Sequence, residues 1–103
     1  MASLAAATQR ITADAAVGTS GNVTLVWGIT LLNGTSATDI SLRNGTSTSG
    51  AILWKLAIPT AVGAETDSRS IAFDKPIVFS SGCFADMTGT AAVAYVAYED
   101  INV

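Results

Sequence analysis

Hydrophobic and polar residues alternate with period two along most of this chain, and no window carries a helical repeat. Successive residues of a strand point to opposite faces, so each alternating run reads as a strand with one buried side. The clearest is Val23 to Leu32, which places Val23, Leu25, Trp27, Ile29 and Leu31 on one face and Thr24, Val26, Gly28 and Thr30 on the other, ending at Asn33-Gly34. An edge strand, Thr8 to Ala13, holds Ile11 between Arg10 and Thr12. Thr38 to Arg43 sets Ile40 and Leu42 against Asp39, Ser41 and Arg43, then stops at Asn44-Gly45. Ala51 to Ile58 brings Ile52, Trp54, Leu56 and Ile58 into phase opposite Lys55, and Pro59 ends it because proline donates no ladder hydrogen bond. Thr60 to Asp67 reads as a surface loop. Ser68 to Asp74 carries Ile71 and Phe73 inward, Pro76 breaks or bends the run, and Ile77 to Phe79 resumes it. Cys83 to Met87 is a short strand closed by Gly89, and Ala91 to Tyr98 is apolar on both faces, as a central or covered strand requires.

Seven or eight short strands with turn residues between them predict an all-β antiparallel β-sandwich, jelly-roll-like, with an immunoglobulin-like Greek key as the alternative. The expected core between the sheets is Leu25, Trp27, Ile29, Ile40, Leu42, Ile52, Trp54, Leu56, Phe73, Ile77, Phe79 and Val96. Length allows one domain: residues 19–103 form the sandwich, and residues 1–18 are an N-terminal arm or edge-strand segment.

Composition sharpens this picture. Only 13% of the 103 residues are charged while 50% are hydrophobic, against roughly 25% charged in an ordinary soluble domain. So little charge coats a solitary small β domain poorly and implies surfaces meant for other subunits. A net charge of -3, with Arg10, Arg43, Lys55, Arg69 and Lys75 dispersed, provides no basic footprint for nucleic acid. The N-terminal run has neither a positive n-region nor a long apolar h-region, and no stretch approaches the roughly 20 apolar residues that span a bilayer. The expectation is a product of a reducing cytoplasm without a membrane partner. Cys83 is the lone cysteine, read as a buried small hydrophobe. Three Asn-x-Thr matches begin at Asn22, Asn33 and Asn44, and the two Asn-Gly pairs among them are explained by turn chemistry.

Candidate chemistry is sparse. Without histidine, neither a Ser-His-Asp nor a Cys-His arrangement can be assembled, so an enzyme is not expected. Glu65, Asp67, Asp74, Asp86, Glu99 and Asp100 are carboxylates on paper for glycoside hydrolysis, but they fall at strand ends and turns where solvation explains them. Asp39, or Glu65 with Asp67, are oxygen donors of the kind that hold calcium, yet they read as surface acids. No cofactor is expected. Trp27 and Trp54 would suit a sugar-binding platform, but each lies in phase with core residues. Alternation instead nominates contact residues: Arg10 and Ile11 on the first strand, Val26 on the second face of the long strand, Leu53 beside Trp54, and Tyr95 and Tyr98 on opposite faces of the last strand. Tyrosine suits that task, with an apolar ring and a polar tip.

The runs Gly28-Ile29-Thr30-Leu31-Leu32-Asn33-Gly34, Ile40 to Gly50, Ile71-Ala72-Phe73 and Ser81 to Thr90, with a terminal Val-x-Tyr strand, together resemble small all-β virion proteins of tailed bacteriophages, notably those of cyanophages and other marine phages. The resemblance covers about residues 23–98 and includes no catalytic signature. It implies a structural role on the particle, as a capsid cement or decoration protein, with tail, collar or fibre subunits as alternatives. The implied partners are the major capsid protein or other virion proteins and further copies of the chain, a trimer at a local threefold being the expected assembly. The implied location is the virion, after synthesis in the bacterial host. A small carbohydrate-binding module for host attachment is the reading from a different class, because a β-sandwich does not fix function.

Overall fold

A computed structural model describes residues 7–32, 37–58, 68–89 and 91–101. The expected loop at Thr60 to Asp67, the Asn33-Gly34 turn, Pro59 and the Glu65/Asp67 pair lie outside the described residues. Eight strands follow in order: β1 Ala7–Ile11, β2 Ala15–Val17, β3 Val23–Leu32, β4 Thr38–Asn44, β5 Ala51–Ile58, β6 Ser68–Phe79, β7 Cys83–Thr88 and β8 Val93–Ile101. No helix among the described residues is long and apolar enough to cross a membrane.

Two four-stranded antiparallel sheets are formed, sheet I in the order β1-β8-β3-β6 and sheet II in the order β2-β7-β4-β5. First pairs with last throughout: β1 with β8, β2 with β7, β3 with β6 and β4 with β5. The chain thus behaves as one long double ribbon, and rolling that ribbon brings β3 against β8 and β4 against β7 to close each sheet. This is jelly-roll connectivity. It excludes the immunoglobulin-like alternative, whose strands group differently. Residues 7–17 are built into the sandwich, β1 as an edge of sheet I and β2 as an edge of sheet II. Gln9 links the two sheets there: its amide donates to the Ala16 carbonyl at 2.9 Å and its Oε1 accepts from the Gly18 amide at 2.8 Å.

The core lies between the sheets and contains Ile11, Val17, Val26, Ile29, Leu31, Ile40, Leu42, Ile58, Phe79, Cys83, Ala85, Ala94 and Val96, with Trp54, Leu56, Phe73, Ile77, Met87 and Tyr98 packed around it. Trp54 of sheet II meets Phe73 of sheet I edge to face, ring centroids 5.5 Å apart, sealing the β5/β6 side.

Period two fails at two places, each for the same reason. In β3 the ladder runs Val26 opposite Tyr98 and then Gly28 opposite Ala97, leaving Trp27 as an extra residue. A β-bulge of this kind reverses the phase of everything before it. Thr24 and Val26 therefore turn inward, whereas Leu25 and Trp27, expected in the core, lie on the outer face. In β5 the ladder runs Trp54 opposite Leu42 and then Ile52 opposite Arg43, so Leu53 is supernumerary. Ile52, also expected in the core, is consequently 46% exposed. Facing Trp27, β6 makes a wider excursion through Phe73, Asp74, Lys75 and Pro76, which accommodates a proline that has no N–H to donate.

Candidate interaction surfaces

The outer faces of the two sheets differ in chemistry. On sheet II the outward positions of β4, β5 and β7 include Asp39, Ser41, Arg43, Lys55, Asp86 and Thr88, since their neighbours Ile40, Leu42, Leu56 and Ala85 point into the core. Four of these six groups pair with one another. Arg43 contacts the Asp86 carboxylate through Nε and Nη2, both at 3.1 Å, and Arg43 Nη1 donates to the Gly50 carbonyl. Thr88 donates its hydroxyl to Asp39 at 2.8 Å. The Met87 amide donates to Asp14 at 2.8 Å.

Sheet I presents the opposite character. Its outward positions are Thr8 and Arg10 on β1, Val93, Tyr95, Ala97, Glu99 and Ile101 on β8, Val23, Leu25, Trp27, Thr30 and Leu32 on β3, and Ser70, Ala72 and Val78 on β6, as the ladders require once the Trp27 bulge is counted. Val78 is 54% exposed, and Tyr95 and Ile101 are each 37% exposed. One of its two charged groups is already engaged: the Trp27 indole N–H donates to Glu99 Oε1 at 2.6 Å. At the middle of the face the small residues Gly28, Ala72 and Ala97 leave a groove of about 350 Å³, bordered by Thr8, Ser70 and Tyr95. Thr30 and Ser70 share a hydrogen bond of 2.8 Å on its wall.

The contact residues nominated by alternation divide between these regions. Arg10 and Tyr95 are directly paired across β1 and β8 and both reach the outer face of sheet I. Leu53, 45% exposed, is distant in topology, at the bulge of the sheet II edge strand. Three nominations are corrected. Ile11 is 1% exposed, because an edge strand bares its backbone edge while its alternate side chains still face the core. Val26 is fully buried because the Trp27 bulge inverts its phase. Tyr98, opposite Val26, packs against the core on the inner side. Sequence reasoning missed Val23, Leu25, Val78 and Ile101 as surface residues, and the only cue in the chain was the adjacent Trp27-Gly28 pair, a bulky residue followed by one free to bend.

Catalytic and metal chemistry finds little here. Besides the acids of sheet II, Asp100 accepts from the Thr19 amide at 2.9 Å and lies 3.4 Å from the Thr24 hydroxyl, so it ties the β2–β3 connection to β8. Among the described residues no group of three or more His, Cys, Asp or Glu side chains converges as metal ligands would. Cys83 is buried, and desolvation pushes its thiol up to about 12 from a usual value of 9.0. Neither tryptophan forms an open platform: Trp54 packs on the core against Phe73, and Trp27 is tethered to Glu99.

The class defined by strand order is therefore a small eight-stranded jelly roll; the outer face of sheet I is mostly apolar, while sheet II carries the paired charges together with the exposed Ile52 and Leu53 of β5. Compared with family models, with curated proteins and with solved structures, the chain matches none.

Proposed function

We propose that this chain is a non-enzymatic structural protein of a phage virion, a capsid cement or decoration subunit that binds at capsomer junctions through the outer face of sheet I. The supporting observation is the asymmetry of the sandwich: Val78, Tyr95 and Ile101 stand exposed on a face whose counterpart gathers the paired charges. Four strands about 4.8 Å apart and about nine residues long cover roughly 600 Å², the per-partner area at the low end of specific interfaces. One such contact is weak, but repetition over a shell multiplies it. A subunit that binds only the assembled shell stabilises that shell by linkage, in proportion to its occupancy. The lone Arg10 beside Tyr95 adds a directional contact for a carboxylate or carbonyl of the major capsid protein.

The test is to compare capsids with and without the protein for resistance to heat and low salt, then repeat with Val78→Lys and Tyr95→Lys. Decorated shells should survive conditions that open bare ones, and both variants should lose occupancy. Equal robustness of bare shells, with the protein fractionating with tails, would assign it to a tail, collar or fibre instead.

One observation favours a second reading, a carbohydrate-binding module for host attachment. The groove on sheet I combines the hydroxyls of Thr8, Thr30 and Ser70 with the ring of Tyr95, a pairing that suits a sugar's polar rim and apolar face. Calorimetric titration with host surface polysaccharide separates the two: the cement reading gives no heat of binding, whereas the sugar reading gives a heat that Tyr95→Ala abolishes.

A further inference from the structure

Across the middle of sheet I, one row of outward positions is small on all four strands. Thr8 of β1 stands opposite Ala97 of β8, Ala97 opposite Gly28 of β3, and Gly28 opposite Ala72 of β6. The groove of about 350 Å³ is the space that these side chains leave empty. The adjoining row holds Arg10, Tyr95, Thr30 and Ser70, and the last three wall the groove. At the low end of the roughly 300–1,000 Å³ of ligand sites, such a groove takes one ring rather than a folded segment. Its floor is methyl groups and backbone. The hydroxyls of Thr30 and Ser70 already bond each other at 2.8 Å, which leaves few groups to receive a polar ligand. A sugar carries hydroxyls around its whole rim, each needing a partner once stripped of water, whereas an aromatic side chain asks for one at most.

Charge narrows the occupant further. Of the two charged groups on this face, Glu99 is held by the Trp27 indole, whereas Arg10 is exposed and makes no ion pair among the described residues. Arg10 lies diagonal to Ala97 across the β1–β8 pair, a separation of about 7–8 Å. Alternate residues of an extended chain stand about 6.8 Å apart and point the same way. A ring over Ala97 and a carboxylate at Arg10 therefore fit two residues of one extended segment, with a single residue between them. We propose that the groove is an anchor pocket for one aromatic side chain of a partner protein, presented on an extended segment that carries a carboxylate two residues away for Arg10. The inference rests on the docking reading above and names the chemistry of the partner's surface. An aromatic anchor in a desolvated pocket beside an arginine is the combination in which interfaces concentrate their binding energy.

The experiment follows the backbone amide shifts of the full chain during titration with three acetylated tripeptide amides, Tyr-Gly-Asp, Tyr-Gly-Lys and Ser-Gly-Asp. Tyr-Gly-Asp is expected to move the amides of Gly28, Ala72 and Ala97 and to bind several-fold more tightly than the lysine peptide, the scale of an exposed ion pair. The serine peptide should leave the groove untouched. Ala72→Leu and Ala97→Leu fill the groove, and each should weaken Tyr-Gly-Asp by at least about tenfold with near-UV circular dichroism unchanged, while Ile52→Lys on sheet II should bind as the parent does. Groove amides indifferent to Tyr-Gly-Asp, full binding by both filled variants, or a groove that takes host polysaccharide and no peptide would overturn the proposal. On shells, full occupancy by both filled variants together with loss in Val78→Lys would refute the anchor and keep the docking reading. Full occupancy by Val78→Lys and Tyr95→Lys would refute docking through sheet I, and the anchor with it.

Discussion

Leu25 and Val26 are adjacent, and which of them belongs to the core depends entirely on the bulge at Trp27. Replacing each by alanine tests that bulge directly. Val26 is fully buried, and Val26→Ala deletes two methyl groups worth about 0.8 kcal/mol each in transfer free energy. The surrounding core closes the gap only in part, so the total is roughly 1–3 kcal/mol, twice the usual Ile→Val cost. For a domain of this length each kcal/mol lowers the melting temperature by about 4–8 °C, which puts Val26→Ala roughly 4–24 °C below the parent. Leu25 sits half-buried on the outer face of sheet I and loses more atoms, yet in the monomer Leu25→Ala should cost under about 1 kcal/mol because much of that surface is already wet. Thermal and urea unfolding at low protein concentration give both values. A Leu25→Ala loss equal to or larger than that of Val26→Ala would mean the strand keeps one phase throughout, and the apolar face of sheet I would not exist.

Two further outcomes follow from particular residues. Because burial holds the Cys83 thiol protonated up to about 12 while the unfolded chain releases its proton near 9.0, the unfolded state binds fewer protons between those values, and stability must fall as pH rises through that window, by up to about 1.4 kcal/mol per pH unit; the difference between the parent and Cys83→Ala in urea midpoints should shrink steadily above pH 9, and a constant difference would show the thiol to be exposed. Gly82 has a φ of +100° and a Cβ there would stand 2.9 Å from the Gly21 nitrogen, whereas at Gly21, with a φ of +86°, a Cβ meets nothing; Gly21→Ala should cost only the left-handed backbone penalty of about 1–2 kcal/mol, and Gly82→Ala clearly more, equal losses arguing against the close approach of these two turns.

Alternation, turn residues and low charge were enough to read an antiparallel β-sandwich from this chain, because each depends on neighbours within a few positions. Ile29, Ile40, Leu42, Phe79 and Val96 are buried where period two places them, and Asn44 ends β4 at the expected Asn-Gly turn, its Oδ1 accepting from the Ser81 amide. Tyr95 and Tyr98 face opposite ways for the same local reason, their odd separation along one strand.

The face each strand turns outward was decided elsewhere. A bulge exists only relative to a partner strand, so the extra residues at Trp27 and Leu53 become visible only when β3 meets β8 and β5 meets β4, 61 or more residues apart in one case and in the adjacent strand in the other. Those two insertions moved Val26 into the core, put Leu25 outside and exposed Ile52, and the rolling of the ribbon chose which strands lie at the sheet edges among the described residues. Composition alone implied surplus apolar surface on this protein; only long-range pairing, which the local chain cannot encode position by position, concentrated it on sheet I and along β5.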